Sequence, residues 1–428
     1  MLAAIKNAFK IPDLRKKIFF TIFIIIIFRI GAFLPAPGVD AAAARKLANS
    51  SDNLIRLLNL FSGGALTSLA VFALGIMPYI TSSIIMQLLT VVIPKLEAWQ
   101  KEGETGTKKI TQWTRYLTIS LAVMQSTGVV FLAHRGGFKD SANQAVDLIH
   151  PFTPGRVALI VLTLTAGTAL VMWLGELITQ RGIGNGMSIL IFTSVVSALP
   201  AQGGDILVQL GPIWFSVIIA LAIAIIVGIV IVEQGQRRIP VQYAKRVVGR
   251  KMMGGGSTYI PLKVNQSGVI PIIFASSVLY FPALLVTVVQ WKPLRNLIEN
   301  HLANQASPVH IILYGLLVIG FAYFYTAIAF DPLKVADDMK KYGGFIPGIR
   351  PGRATAEHLN YILARITLPG ALFIASIAIL PSIALATLQV RSLPFGGTSV
   401  LITVGVALEM MKQLESQLMM RHYEGFLS

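Results

Sequence analysis

The chain has 428 residues, 54% of them hydrophobic and only 13% charged, with a mean hydropathy of +0.70. Soluble domains carry about 25% charged residues, so a water-soluble globular protein is excluded and a membrane protein is implied. The net charge of +17 suits an anionic partner, yet basic residues on one side of a bilayer are also an ordinary topology signal. With no cysteine, disulfides and thiolate metal sites are excluded.

A crossing helix needs about 20 residues. Ten spans are predicted, at roughly 18–34, 69–93, 117–133, 157–178, 187–200, 213–232, 267–289, 309–330, 366–388 and 399–411. The first follows Lys6, Lys10, Arg15, Lys16 and Lys17, as a signal peptide would, but without a small-residue cleavage site before a soluble domain it reads as a retained helix. Arg29 lies inside it. The fifth and tenth runs are short and must be extended by polar or Gly-rich residues. Runs such as 22–28 do not alternate, which argues against a β-barrel. With the amino terminus inside, 26 Lys and Arg fall on the inner side and nine outside, so both termini are expected in the cytoplasm.

The second span is preceded by Leu60-Phe61-Ser62-Gly63-Gly64-Ala65-Leu66-Thr67-Ser68, a small, weakly polar stretch. Gly75 and Pro78 are natural break points. A half-helix from about residue 64 to 74, entering from outside, would act as a movable stopper; a long kinked helix is the competing reading.

Two short words recur about half a chain apart. Gly75-Ile76-Met77-Pro78-Tyr79-Ile80 returns as Gly268-Val269-Ile270-Pro271-Ile272-Ile273, and Gly186-Met187-Ser188-Ile189-Leu190-Ile191 as Gly397-Thr398-Ser399-Val400-Leu401-Ile402. They fall on spans 2 and 7 and on spans 5 and 10. Five crossings reverse direction, so two five-helix halves of inverted topology are expected: residues 1–200 and 213–428, joined by an external hinge at 201–212. Chance likeness in apolar sequence competes with this reading. Membrane proteins built on inverted repeats usually work where the broken segments meet. In the paired words Ile80 matches Ile273 and Ile191 matches Ile402, with Ile76 and Met187 one turn away. A ring of such side chains offers no ligand to an ion and seals by dewetting; ordinary helix packing is the competing reading.

Two inner loops are long. That at 235–265 holds Arg237, Arg238, Lys245, Arg246, Arg250, Lys251 and Lys263; that at 331–361 carries a Gly/Pro-rich tip presenting Arg350. Connections of this length are usually functional or disordered. Basic loops bind anionic lipid, RNA or an acidic protein face, and two protruding loops suggest a docked macromolecule.

The chain resembles the SecY family, the channel subunits of bacterial Sec protein translocases, along nearly its whole length. The resemblance rests on Phe28-Arg29-Ile30-Gly31, on residues 61–77 and on Lys101-Glu102-Gly103-Glu104. It extends through Trp173-Leu174-Gly175-Glu176, Arg181-Gly182-Ile183-Gly184-Asn185-Gly186, Gly235-Gln236-Arg237-Arg238-Ile239 and Pro261-Leu262-Lys263-Val264-Asn265. Pro347-Gly348-Ile349-Arg350-Pro351-Gly352 and Phe395-Gly396-Gly397-Thr398-Ser399 complete it. The resemblance implies an all-α polytopic protein with an hourglass pore closed by Ile76, Ile80, Met187, Ile191, Ile273 and Ile402. It implies a plug formed by Ser62, Gly63, Gly64, Ala65, Leu66, Thr67, Ser68, Leu69, Ala70, Val71 and Phe72. It also implies a lateral gate of spans 2 and 3 against 7 and 8, with Thr81, Gln87, Gln125, Ser276 and Ser277 as candidates for hydrogen bonds across it.

By the same resemblance the motor ATPase SecA or a ribosome with its nascent chain docks on Arg237, Arg238, Lys245 and Arg350. SecE, SecG and YidC are the implied membrane partners, with secretory preproteins, signal sequences and lipids as clients, in the bacterial cytoplasmic (inner) membrane. No cofactor or metal is expected.

Two rival functions are weighed. A secondary transporter also uses inverted repeats, but carriers place ionisable groups at mid-membrane, and here Arg29, Glu176 and Glu409 lie toward span ends. A membrane enzyme lacks support: there is no GxxxxGK[ST] or HExxH, and the histidines do not cluster.

Overall fold

The computed structural model describes residues 9, 11–40, 62–134, 148–243, 246–248, 251–253, 257–288, 293, 297–303, 307–388 and 397–424. Helix α1, Pro12–Phe33, starts on proline, whose missing N–H falls where an intrahelical partner is lacking anyway. Next come α2 (Met77–Val92), α3 (Pro94–Lys101), α4 (Glu104–His134), α5 (Pro154–Arg181) and α6 (Gly186–Gln234). After a β-hairpin follow α7 (Ile270–Val288), a π-helical turn (Ile298–Ala303), α8 (Pro308–Ala329), α9 (Pro332–Lys341), α10 (Arg353–Leu388) and α11 (Gly397–Glu424). Each predicted span overlaps a helical segment, the fifth and sixth being the two arms of α6. Five helices among the described residues are long and apolar enough to cross a membrane, and α2 with α3 qualifies only when the two are counted together across a 99° bend. The protein is an all-α, multi-pass membrane protein.

Three boundaries differ from the sequence reading. Residues 64–74 are a chain of turns, not a half-helix, because Gly63, Gly64, Leu69 and Gly75 all take positive φ, which a right-handed helix does not admit. Residues 201–210, read as hinge, are helical; the break is at Gly211, with φ 78° and ψ 173°, and Pro212 then opens the second arm. The second span stops at Val92 before Pro94, and the chain turns sharply into α3.

The helices enclose two apolar cores. The first joins α1, α2, α4, α5 and the start of α6 to Val269, Ile273 and Phe274 at α7 and to Ile402 and Val406 of α11. The second lies among the later helices and takes Ile272, Ala275 and Leu279 from α7 and Leu401, Val404 and Leu408 from α11. Consecutive residues of α7 and α11 therefore face different cores. Close helix approach depends on small residues: a Cβ on Gly186 would lie 1.9 Å from the Gly175 carbonyl oxygen.

The two basic loops form one platform. Strand β1, Gln236–Tyr243, pairs antiparallel with a long partner, Ser257–Lys263, from Gln236↔Lys263 to Gln242↔Ser257. Its other edge takes Gly344–Phe345 from the second loop, through Gln242↔Phe345 and Tyr243↔Gly344. Alternation turns Ile239 and Val241 inward, onto Leu262, Met339, Ile346, Leu359 and Ile362. A short pair, Arg246–Val248 and Lys251–Met253, extends the hairpin. Neither loop had been read as containing strands: the inward alternation spans only two residues, too short to signal one.

Candidate functional site: an aliphatic constriction with a buried plug

The six predicted ring residues lie in or against one apolar core. Ile76, Ile80, Ile191, Ile273 and Ile402 belong to the first core and are at most 6% exposed, while Met187 packs against it half-buried. They arrive from four places: the break before α2, the first turns of α6, the first turn of α7 and the start of α11. Asn185 fixes the entry of α6 by accepting a hydrogen bond from Met187 N at 3.0 Å. The Met187 thioether rests against Gly175 of α5, where a Cβ would come within 2.4 Å of its sulfur.

Of residues 62–72, Leu66, Leu69 and Phe72 belong to the same core and Val71 packs against it, while Ala65 and Ala70 form a small cluster with Ala32 of α1. Ala65, Leu66, Leu69, Ala70 and Phe72 are buried, and only Gly64 is exposed. The turns are closed locally: Ala65 N bonds Ser62 O, Leu69 N bonds Leu66 O and Ala70 N bonds Ala65 O. Leu66 N also donates to Ser62 Oγ, and Thr67 and Ser68 return their hydroxyls to Gly64 O and Ala65 O. The segment is stitched to the strand after α1 by Ala36 N to Leu69 O (3.0 Å) and Val71 N to Leu34 O (2.8 Å). Phe72 stacks on Phe28 at 5.9 Å, over Gly31, where a Cβ would fall 2.1 Å from the ring.

The seam between the halves runs where α7 abuts α2 and α4, with α8 packed behind. Phe274 of α7 meets Phe321 and Tyr325 of α8 edge-on. The five polar gate candidates make no hydrogen bond across this seam among the described residues. Thr81 and Ser277 donate to their own helices, at Met77 O and Ile273 O. Ser276 does the same to Ile272 O and reaches Tyr314 Oη on α8 at 3.3 Å. The amide oxygens of Gln87 and Gln125 are buried with no partner. Arg115 grips Glu176 through two bonds of 2.7 and 2.8 Å, tying α4 to α5.

On the platform, Arg237, Arg238 and Arg350 are exposed. Arg238 lies over the Tyr259 ring at 5.0 Å. Thr355 Oγ1 donates to Arg350 O at 2.9 Å, fixing the backbone of the tip while the guanidinium projects. Lys245 lies outside the described residues. Sequence reasoning missed Ser197, whose hydroxyl meets Arg29 across 168 positions; no local pattern announces such a pair.

The structure is a multi-pass helical bundle in which the predicted ring isoleucines share one apolar core with Leu66, Leu69 and Phe72, together with a basic β-platform. Its relatives define the class as that of protein translocase channel subunits. The SecY family model matches residues 70–411. A relative from Streptomyces scabiei, protein translocase subunit SecY, is 55% identical over the full length of both chains. Among solved structures, one concerns the SecY plug domain, said to stabilise the closed state of the translocation channel and maintain a membrane seal. It superposes with a TM-score of 0.63 at 20% identity, covering 96% of each chain. Sec61 in the canine ribosome-channel complex from the endoplasmic reticulum gives 0.58 at 18% identity, again covering 96% of each chain. The chain belongs to the SecY family.

Proposed function

We propose that this chain passes unfolded secretory polypeptides through the constriction and releases apolar segments sideways between α2/α4 and α7. The observation that carries this reading is that five buried isoleucines from early and late helices share one apolar core with Leu66, Leu69 and Phe72. Aliphatic side chains grip neither ion nor sequence; they yield to any chain and close behind it, excluding water. The seam is suited to opening, since the five polar candidates form no hydrogen bonds across it and contact there is mostly apolar, which lipid or a signal sequence replaces at little cost.

The cytoplasmic platform is the docking face in this reading. Arg237, Arg238, Lys245 and Arg350 suit the phosphates of ribosomal RNA and the carboxylates of a motor ATPase such as SecA. No nucleotide-binding motif lies in the sequence, so the energy source sits with that partner. SecE, SecG and YidC are the proposed membrane neighbours, in the bacterial cytoplasmic membrane with both termini inside. The two halves, 1–200 and 213–428, move about Gly211. The transporter alternative draws no support from the family match.

Replacing Ile80, Ile191, Ile273 and Ile402 together by serine tests the seal. Resting ion conductance of the reconstituted complex is expected to rise at least tenfold, because a polar ring wets. Conductance at the parental level would reduce the ring to ordinary core packing.

A further inference from the structure

Arg29 is the one basic side chain within the first predicted span. Ionisable side chains within apolar spans are rare and pair with polar or backbone groups. Its Nη1 donates to Ser197 Oγ on α6 at 2.8 Å and to the carbonyl oxygen of Gly63, at the head of the 62–72 segment, at 3.3 Å. The guanidinium also lies 4.8 Å from the centre of the Phe33 ring. Ser197 in turn donates to Ser194 O at 2.7 Å, which orients the hydroxyl to accept from Arg29. Gly63 has φ +63°, and a Cβ there would meet Arg29 Nη1 at 3.0 Å and both Ser194 Cα and Ser197 Oγ at 3.3 Å. One guanidinium thus joins α1, α6 and the head of the segment, while the backbone bonds to Leu34 and Ala36 hold only its tail.

We propose that Arg29 is a latch that sets how readily the plug leaves the closed pore. The inference rests on reading residues 62–72 as a plug and adds the group that governs its release. Charge-assisted hydrogen bonds are stronger than neutral ones, and more so away from water. When the plug moves out, Arg29 loses Gly63 O but keeps Ser197 Oγ and the Phe33 face. The charge is never stripped bare, so the latch releases and recloses. Arg29 is a positioning residue: it touches the plug, not the translocating chain.

The test uses the full chain assembled in its translocase, with resting ion conductance measured in planar bilayers. The variants are Arg29→Gln, Ser197→Ala, their combination, and deletion of residues 62–72. Arg29→Gln is expected to raise the leak roughly tenfold, as loss of a charged hydrogen bond implies, and Ser197→Ala by less. The double variant should leak no more than Arg29→Gln alone, because both substitutions break the same bond. Strictly additive effects would overturn the latch. So would parental leak in both single variants when the deletion leaks; the plug reading then survives. A deletion that leaves the leak unchanged overturns the plug reading and the latch with it. Should Arg29→Gln fail to assemble, Ser197→Ala decides alone, and an unchanged leak counts against the latch.

Discussion

At the scale of single residues, the proposed constriction takes aliphatic side chains, and close helix approach beside it depends on Gly175 and Gly186. Ile191 and Met187 reach the core because Gly186 lets α6 press against Gly175 of α5. Gly186→Ala would set a methyl group against a backbone carbonyl that cannot rotate away. It is expected to cost about 3 kcal/mol, the upper end for overpacking, and to lower the thermal midpoint of the purified complex; an unchanged midpoint would show that the helices part freely. That these isoleucines share a core was legible in the sequence because the words holding them are written twice. Arg29 and Ser197 were not paired, since nothing in either neighbourhood encodes a contact between residues so far apart in the chain.

Among the elements, the crossing helices were the legible part and the irregular segments were not. Long apolar runs give span positions directly, but runs apolar on all sides do not reveal which face meets which core. The stretch before α2 read as a half-helix ending at the Gly75 and Pro78 break; three glycines and Leu69 at positive φ make it a series of turns. The basic loops showed their charge but not their sheet, since β1 and its short edge partner come from segments about a hundred residues apart. That sheet explains how an exposed arginine is aimed. With its carbonyl held by Thr355 and its side chain free, Arg350→Glu should leave the fold and assembly intact. Motor-driven secretion by reconstituted vesicles is expected to fall at least tenfold, since one reversed charge replaces attraction by repulsion at the docking face. Secretion at the parental rate would remove Arg350 from that face.

For the whole molecule, the important division is between the two cores. Helices α7 and α11 belong to both, Ile273 and Ile402 facing one and Ile272 and Leu401 the other. In the proposed function, moving them with the second core would withdraw Ile273 and Ile402 and part α7 from α2 and α4 in the same motion, so that pore opening and lateral release would be one displacement. The chain lacks cysteine, so single thiols can be placed without background. The most direct test puts one cysteine at Ile80, Ile191, Ile273 or Ile402, stalls a secretory polypeptide in transit, and measures crosslinking to it. All four positions are expected to crosslink strongly, while exposed lipid-facing sites such as Leu162 and Ile312 do not. Crosslinks from the lipid-facing sites and none from the four isoleucines would contradict a path through the aliphatic constriction.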